Sequence, residues 1–343
     1  MKPRASLSLD ADNQWSYMKI HGDDGWESFP SYLDALVPRA LDLLARHGLR
    51  ITFFVVGQDA ALAENRESLG SLAAAGHEIG NHSFRHEPWL HRYSDAELDE
   101  ELARAEEAIG GATGVHPMGF RGPGYSLSAT TLRVLVRRGY AYDASTLPTY
   151  IGPLARAYYF RTAELTPEQR TERELLYGTW SDGRRAVRPY RWLVDDRTLI
   201  ELPVTTLPAL KVPIHVSYLL MLSAYSPAAA RRYFDAALRW CRATGVGPSI
   251  LLHPLDLLSG DDVKALAFFP GMDIPVDEKI ARVDSYLDLF QRHFDVGPVG
   301  EHAAALADQA LPVRVPDFPP GRSGSRSGHE VRRRQRPGKP VIR

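Results

Sequence analysis

Between residues 5 and 145 the chain alternates short β-branched or aromatic runs with longer runs whose apolar residues recur at helical spacing. This alternation is the strongest constraint on the fold. ASLSLDA reads as a strand, and YLDALVPRALDLLARHG as a helix ending on a glycine C-cap. LRITFFVVG reads as a buried strand, SLGSLAAAG as a helix with a glycine stop, and HEIGNHS as a short strand with its exit. SDAELDEELARAEEAIGGATG opens on a capping box, with Ser94 as N-cap and Glu97 three residues on. MGFRGPG is a strand end, TTLRVLVRRG a helix and YAYDAS a strand. The pattern resumes near the C-terminus with the helix SPAAARRYFDAALRWCRATG, the strand GPSILLHPLD and the helix EKIARVDSYLDLFQRHF. Strand and helix alternating at this interval imply parallel pairing. Their recurrence at both ends fits a barrel better than an open sheet.

Between the two regular parts, residues 150–225 are less regular and rich in tyrosine, proline and arginine. They read as an insertion that shapes a substrate site. Residues 313–343 are rich in proline, glycine and arginine and lack periodic apolar residues, so a disordered basic tail is expected after a single domain over 1–312. Lys and Arg number 41 against 42 Asp and Glu, a balance that gives no reason to expect nucleic acid as a partner. Cys241 is the one cysteine, so no internal disulfide exists, and its place in a helical run suits a buried thiol. The start, MKPRASLSLDAD, has no apolar segment of signal-peptide length, and no run of about 20 apolar residues could span a bilayer. The expectation is a soluble cytoplasmic protein, with the membrane surface as an alternative place of work. A homo-oligomer is left open.

Chemically able residues gather at strand ends. Asp10 and Asp12 lie on the same side of the extended run SLDAD. His82 and His86, in HEIGNHSFRH, are four apart. Arg121, in GFRGPGY, could answer one of the two carboxylates, and His253 ends the apolar run ILL. Each has a plain alternative: a turn, a cap or a core histidine. Together they sit at the C-terminal ends of separate strands, where parallel β/α folds assemble their sites. Two histidines and one carboxylate leave open positions on a metal, so that a water can bind there and ionise near neutral pH. A second carboxylate can then act as base and a separate histidine as acid.

The set TFFVVG, HEIGNHSFRH, FRGPGY and LLHP resembles the polysaccharide deacetylase family, the carbohydrate esterases that share the chitooligosaccharide-deacetylase homology domain. The likeness covers roughly residues 5–145 and 245–295. It implies an α/β fold, a distorted (β/α) barrel with seven strands, and metal-dependent amide hydrolysis. By that resemblance Asp12, His82 and His86 are the metal ligands, Asp10 is the catalytic base, and Arg121 holds the base. His253 is the acid, Asp143 a carboxylate that orients it, and Leu251 lines the acyl pocket. The implied oxyanion donor is the backbone N–H of Gly124 or Tyr125. The implied metal is zinc, with cobalt or another divalent ion as alternatives.

The chain departs from the family pattern in three places. The first motif reads L-D-A-D where most members carry T-F-D-D-G, the third reads R-G-P-G-Y, and D-x-x-D-W is not recognisable. The first departure resembles the branch of cytoplasmic peptidoglycan deacetylases and cyclic amidases. Trp15 and Trp26 could form a sugar-stacking wall, and His215 and Tyr218 could line the site from the insertion. His77 and Glu78 read as scaffold, and His21 as part of a solvated turn. The expected activity is removal of an N-acyl group, first an N-acetyl, from an amino sugar, glycan or glycolipid precursor. The alternatives are a cyclic ureide as in allantoinases, a formamido sugar, or an inactive sugar-binding barrel. The apolar run SYLLMLSAYS motivates a partly apolar substrate.

Overall fold

A computed structural model describes residues 2–154, 156–157, 166–172 and 178–318. Its strands are β1 (Arg4–Ala11), β2 (Thr52–Val55), β3 (Glu78–Asn81), β4 (Gly119–Phe120), β5 (Tyr142–Asp143), β6 (Tyr190–Val194), β7 (Arg197–Glu201), β8 (Ser249–Leu252), β9 (Asp295–Gly297) and β10 (Val313–Arg314). The order β8-β1-β2-β3-β4-β5-β7 is parallel at every pairing. The parallel run ends at β7, and a contact just beyond β7 meets β8. The Thr205 N–H donates to the Ser249 carbonyl over 2.9 Å, and the Ser249 N–H donates to the Thr205 hydroxyl over 2.8 Å. The result is the expected seven-stranded distorted (β/α) barrel.

The helices are α1 (Gln14–His21), α2 (Leu33–Arg46), α3 (Gly57–Ala61), α4 (Arg66–Ala74), α5 (Asp95–Thr113), α6 (Ala129–Arg138), α7 (Pro167–Glu172), α8 (Val216–Tyr225), α9 (Pro227–Ala243), α10 (Val276–His293) and α11 (Val299–Leu306). Strand alternation decides what they cover. On β1, Leu7 and Leu9 join the cluster that holds Leu36, Val37, Ala40 and Leu44 of α2. The intervening Ser6, Ser8 and Asp10 are buried as well, on the other face, inside the barrel. α9 buries Ala230, Phe234, Ala237, Leu238 and Cys241 at helical spacing. α5 carries the expected Ser94–Glu97 capping box and stops at Gly114, whose φ of 72° suits a glycine. α11 meets the opposite mouth of the barrel, where the Val299 N–H donates to Thr52 Oγ1 and the Gly300 N–H to Glu78.

Three expectations change. Residues 150–225 are not wholly an insertion, because β7 lies within them and extends the parallel barrel from β5. β6 pairs antiparallel with β7 as a short hairpin. Within the stretch expected as a basic tail from 313, Val313–Arg314 instead form β10 against β6, and the Phe318 ring packs on Trp192 at 5.5 Å. Residues 319–343 lie outside the described residues. The segment around His21 is not a loop: Asn13 caps α1 through its side chain, and His21 ends that helix. Among the described residues no helix is long and apolar enough to cross a membrane.

Candidate active site

β1 delivers Asp10 and, one residue past its end, Asp12. The exit of β3 delivers His82 and His86. Ligand atoms of Asp12, His82 and His86 lie within 4.8 Å of one another, and all three residues are buried. His86 Nε2 is 2.9 Å from Asp12 Oδ1, and His82 Nε2 is 3.2 Å from the same oxygen. His82 Nδ1 meets the Arg121 carbonyl at 2.6 Å, which makes Nδ1 the protonated nitrogen and frees Nε2 as a ligand. Two ring nitrogens turned on one carboxylate oxygen suit a shared cation. Burial opposes ionisation of Asp12, but His86 and His82 outweigh it and hold its carboxyl well below the usual range.

The histidine loop is held in an uncommon backbone path. Ser83 has φ 62° and His86 has φ 51°, both in the left-handed region. Side chains answer its amides: Ser83 N–H donates to Asn81 Oδ1 at 2.8 Å, and His86 N–H to Ser83 Oγ at 3.1 Å. Glu101 of α5 accepts from the N–H groups of Phe84 and Arg85 at 3.0 and 2.6 Å. Glu101 was not singled out from the sequence. Its signal was position, since it stands at helical spacing with the buried Leu98 and Leu102 in an otherwise charged run.

Arg121 stands at the inner end of this set. Its Nη1 donates to Asp10 Oδ1 at 2.6 Å and to Ser8 Oγ at 2.8 Å, and its Nε donates to the Ala144 carbonyl at 3.0 Å. Its guanidinium also lies 4.3 Å from the Phe54 ring centre. The pairing leaves Asp10 Oδ2 toward the metal cluster, 4.0 Å from His82 Nε2. After β4 the chain turns through Gly122–Tyr125. A Cβ on Gly122 would come within 2.1 Å of the Ser126 carbonyl oxygen, so only glycine fits there. The Tyr125 N–H already donates to the Gly122 carbonyl, so of the two expected oxyanion donors the Gly124 N–H is the one without that commitment.

On the other side, the register of β1 with β8 sets His253 level with Asp10. His253 Nδ1 meets Ser217 Oγ of α8 at 3.0 Å, and the Asp256 carboxylate accepts from the His253 N–H at 2.8 Å. Asp143 does not orient this histidine. Its Oδ1 accepts from Ser145 at 2.5 Å, and on β7 its register partner is Glu201. Ser217, unmarked in the sequence, takes that place. The His215 ring lies 5.9 Å from His253 and 4.7 Å from Tyr218, so these two line the site's edge. Burial and the neighbouring His253 push the His215 imidazole down to about 3, which keeps it neutral. Leu251 faces inward at the level of Ser8 and is fully buried.

The tryptophan wall is half lost. Trp15 is 1% exposed, and its Nε1–H donates to Asp59 Oδ1 at 2.8 Å, so it is scaffold rather than sugar platform. Trp26 is half-buried, with Lys19 Nζ 5.1 Å from its ring centre. His77 is also scaffold, since its Nδ1 accepts from the Ile51 N–H at 3.2 Å.

Residues 18–142 match the family model described as polysaccharide deacetylase. The peptidoglycan deacetylase of Helicobacter pylori is 30% identical over 128 residues, which is 37% of this chain and 41% of that protein. The chain thus spans less than half the length of this curated relative. A Mycobacterium smegmatis protein described as a candidate polysaccharide deacetylase superposes with a TM-score of 0.61 at 21% identity, over 93% of this chain and 96% of that one. Puue allantoinase superposes with a TM-score of 0.52 at 16% identity, over 90% and 91%. Both likenesses are of fold. The matched segment, the barrel and the Asp12–His82–His86 cluster together make this chain similar to the polysaccharide deacetylase family over residues 18–142.

Proposed function

We propose that this chain is a metal-dependent hydrolase of non-peptide carbon–nitrogen bonds that removes an N-acetyl group from an amino sugar or a glycan precursor. The observation that carries the reading is the buried Asp12–His82–His86 cluster with the Arg121-held Asp10 beside it. The donor set fits a divalent ion, zinc first, because ligand atoms of two imidazoles and one carboxylate lie within 4.8 Å of one another. Such an ion supplies Lewis-acid polarisation of the acyl oxygen and acidifies a water.

The side chains do the rest. Arg121 occupies Asp10 Oδ1, so Oδ2 is the atom that takes the water's proton. The Gly124 N–H is the donor we assign to the developing oxyanion, because the Tyr125 N–H is taken by the Gly122 carbonyl. Ser217 occupies His253 Nδ1, which leaves Nε2 to hand a proton to the departing nitrogen. Leu251 forms a dry wall for the acyl methyl. Asp143 contributes indirectly, through Ser145. Chelation followed by zinc or cobalt loading, with acetate release from N-acetylglucosamine oligomers, tests the reading. Asp10→Asn is expected to lower kcat by about 10³. Full activity of Asp10→Asn or of His82→Ala would overturn the roles. Hydrolysis of a cyclic ureide or a formamido sugar instead would keep the roles and move the substrate. No turnover of any amide would favour a sugar-binding barrel.

A further inference from the structure

Beside Arg121, on the helix-facing side of β5 and β7, lie two more carboxyl groups that hydrolysis does not directly use. Asp143 on β5 and Glu201 on β7 are register partners, and both are fully buried. Glu201 Oε1 accepts from the Thr146 N–H at 3.0 Å, and Oε2 accepts from Trp192 Nε1 at 2.9 Å. Asp143 Oδ1 accepts from Ser145 Oγ at 2.5 Å, and the same hydroxyl accepts the Gly122 N–H at 2.8 Å. Glu201 thus stands beside its register partner Asp143, and hydrogen bonds lead from Asp143 through Ser145 to the first residue of the turn that carries Gly124. The next backbone link is just as direct, because the Ala144 carbonyl between Asp143 and Ser145 receives Arg121 Nε.

We propose that Glu201 is a positioning residue for the reaction: through Asp143 and Ser145 it sets the Gly122 turn and the inner side of Arg121. This rests on the hydrolase reading above. The charge balance explains why the arrangement is stable. Arg121 already neutralises Asp10, and two further buried anions beside it would lack a counter-charge. One proton shared between Asp143 and Glu201 removes that excess, as in carboxyl pairs generally. Burial, then the neighbouring Asp143, pushes the Glu201 carboxyl well above its usual range. Burial also raises Asp143, against the pull of Glu201, Ser145 and Arg121, so Asp143 is the member that faces cations and donors. Glu201 is thereby the member assigned the shared proton, while Thr146 and Trp192 still donate to its two oxygens. An ionised Glu201 would repel its partner and loosen the turn.

Two measurements test this. The infrared difference spectrum of wild type against Glu201→Gln, taken at neutral pH without substrate, is expected to show a protonated carboxyl band lost in the variant. Its absence would overturn the shared proton. On N-acetylglucosamine oligomers with zinc, Ser145→Ala and Glu201→Leu are expected to lower kcat about ten- to hundredfold with KM changed less than about twofold. Ser145→Ala removes one buried hydroxyl and serves if Glu201→Leu does not fold. Wild-type kcat in folded Ser145→Ala, or a loss wholly in KM, would overturn the positioning role. An inactive zinc-loaded wild type would count against the hydrolase reading instead, and the infrared band would still decide the carboxyl pair.

Discussion

Replacing Arg121 with methionine removes the guanidinium that pairs directly with Asp10. Arg121 is 0% exposed and Asp10 4% exposed, so water cannot stand in. The pair meets at 2.6 Å between Nη1 and Oδ1. With charge centres about 4 Å apart and an effective dielectric of about 20, the attraction is about 4 kcal/mol. Stranding one member of a buried pair costs about 3–5 kcal/mol, a large share of a stability of about 5–15 kcal/mol. Asp10→Asn alone leaves the guanidinium unanswered on that side and also destabilises. The double variant leaves neither charge alone, so its loss is expected to fall short of the sum by about 2 kcal/mol. The bonds from Arg121 to Ser8 and Ala144 are lost in both Arg121 backgrounds, so they cancel in the cycle. The assay is urea unfolding of the four proteins in chelator, because a bound metal would add its own stabilisation. Losses that add within about 0.5 kcal/mol would refute the claim that Arg121 is there to hold the charge of Asp10.

Further outcomes follow from single contacts. Ser217→Ala removes the partner of His253 Nδ1 and should lower kcat about tenfold while the thermal midpoint holds. Unchanged kcat would remove Ser217 from the site. Burial, then Arg50, lowers His77 from 6.5 to about 4. Between those values the unfolded chain binds the extra proton, so stability is lost as pH falls through that window. His77→Asn, whose Oδ1 can take the Ile51 N–H, should show a flatter fall of the urea midpoint over the same range. An identical slope would clear His77 of that role. On α8, Tyr225 is 88% and Met221 43% exposed. If the substrate is partly apolar, changing both to serine should raise KM for an acylated carrier about tenfold, since covering one such side chain is worth about 1.5–3 kcal/mol. An unchanged KM would leave the apolar run to fold packing alone.

How far the sequence could be read depended on where polar residues ended up. Asp10, Asp12, His82, Arg121 and His253 each close an apolar run, and local alternation was enough to mark them. Trp15 was misread because NQWSYMKIH has little helical patterning, and its order comes from Asn13 capping α1 and from the bond to Asp59. β7 was hidden for a different reason. RTLIE leaves Arg197 and Thr198 exposed and then buries Leu199, Ile200 and Glu201, so it does not alternate as a strand with one wet face should. Alternation reports two faces but not which one is dry. On β1 the polar set Ser6, Ser8 and Asp10 is as buried as the leucines between them, because the barrel interior covers one face as fully as the helices cover the other. A buried Glu201 opposite a buried Asp143 exists only once β5 and β7 are neighbours. The Asp12–His82–His86 cluster is therefore legible one strand at a time, whereas the carboxyl pair beside Arg121 is a property of the β5–β7 pairing.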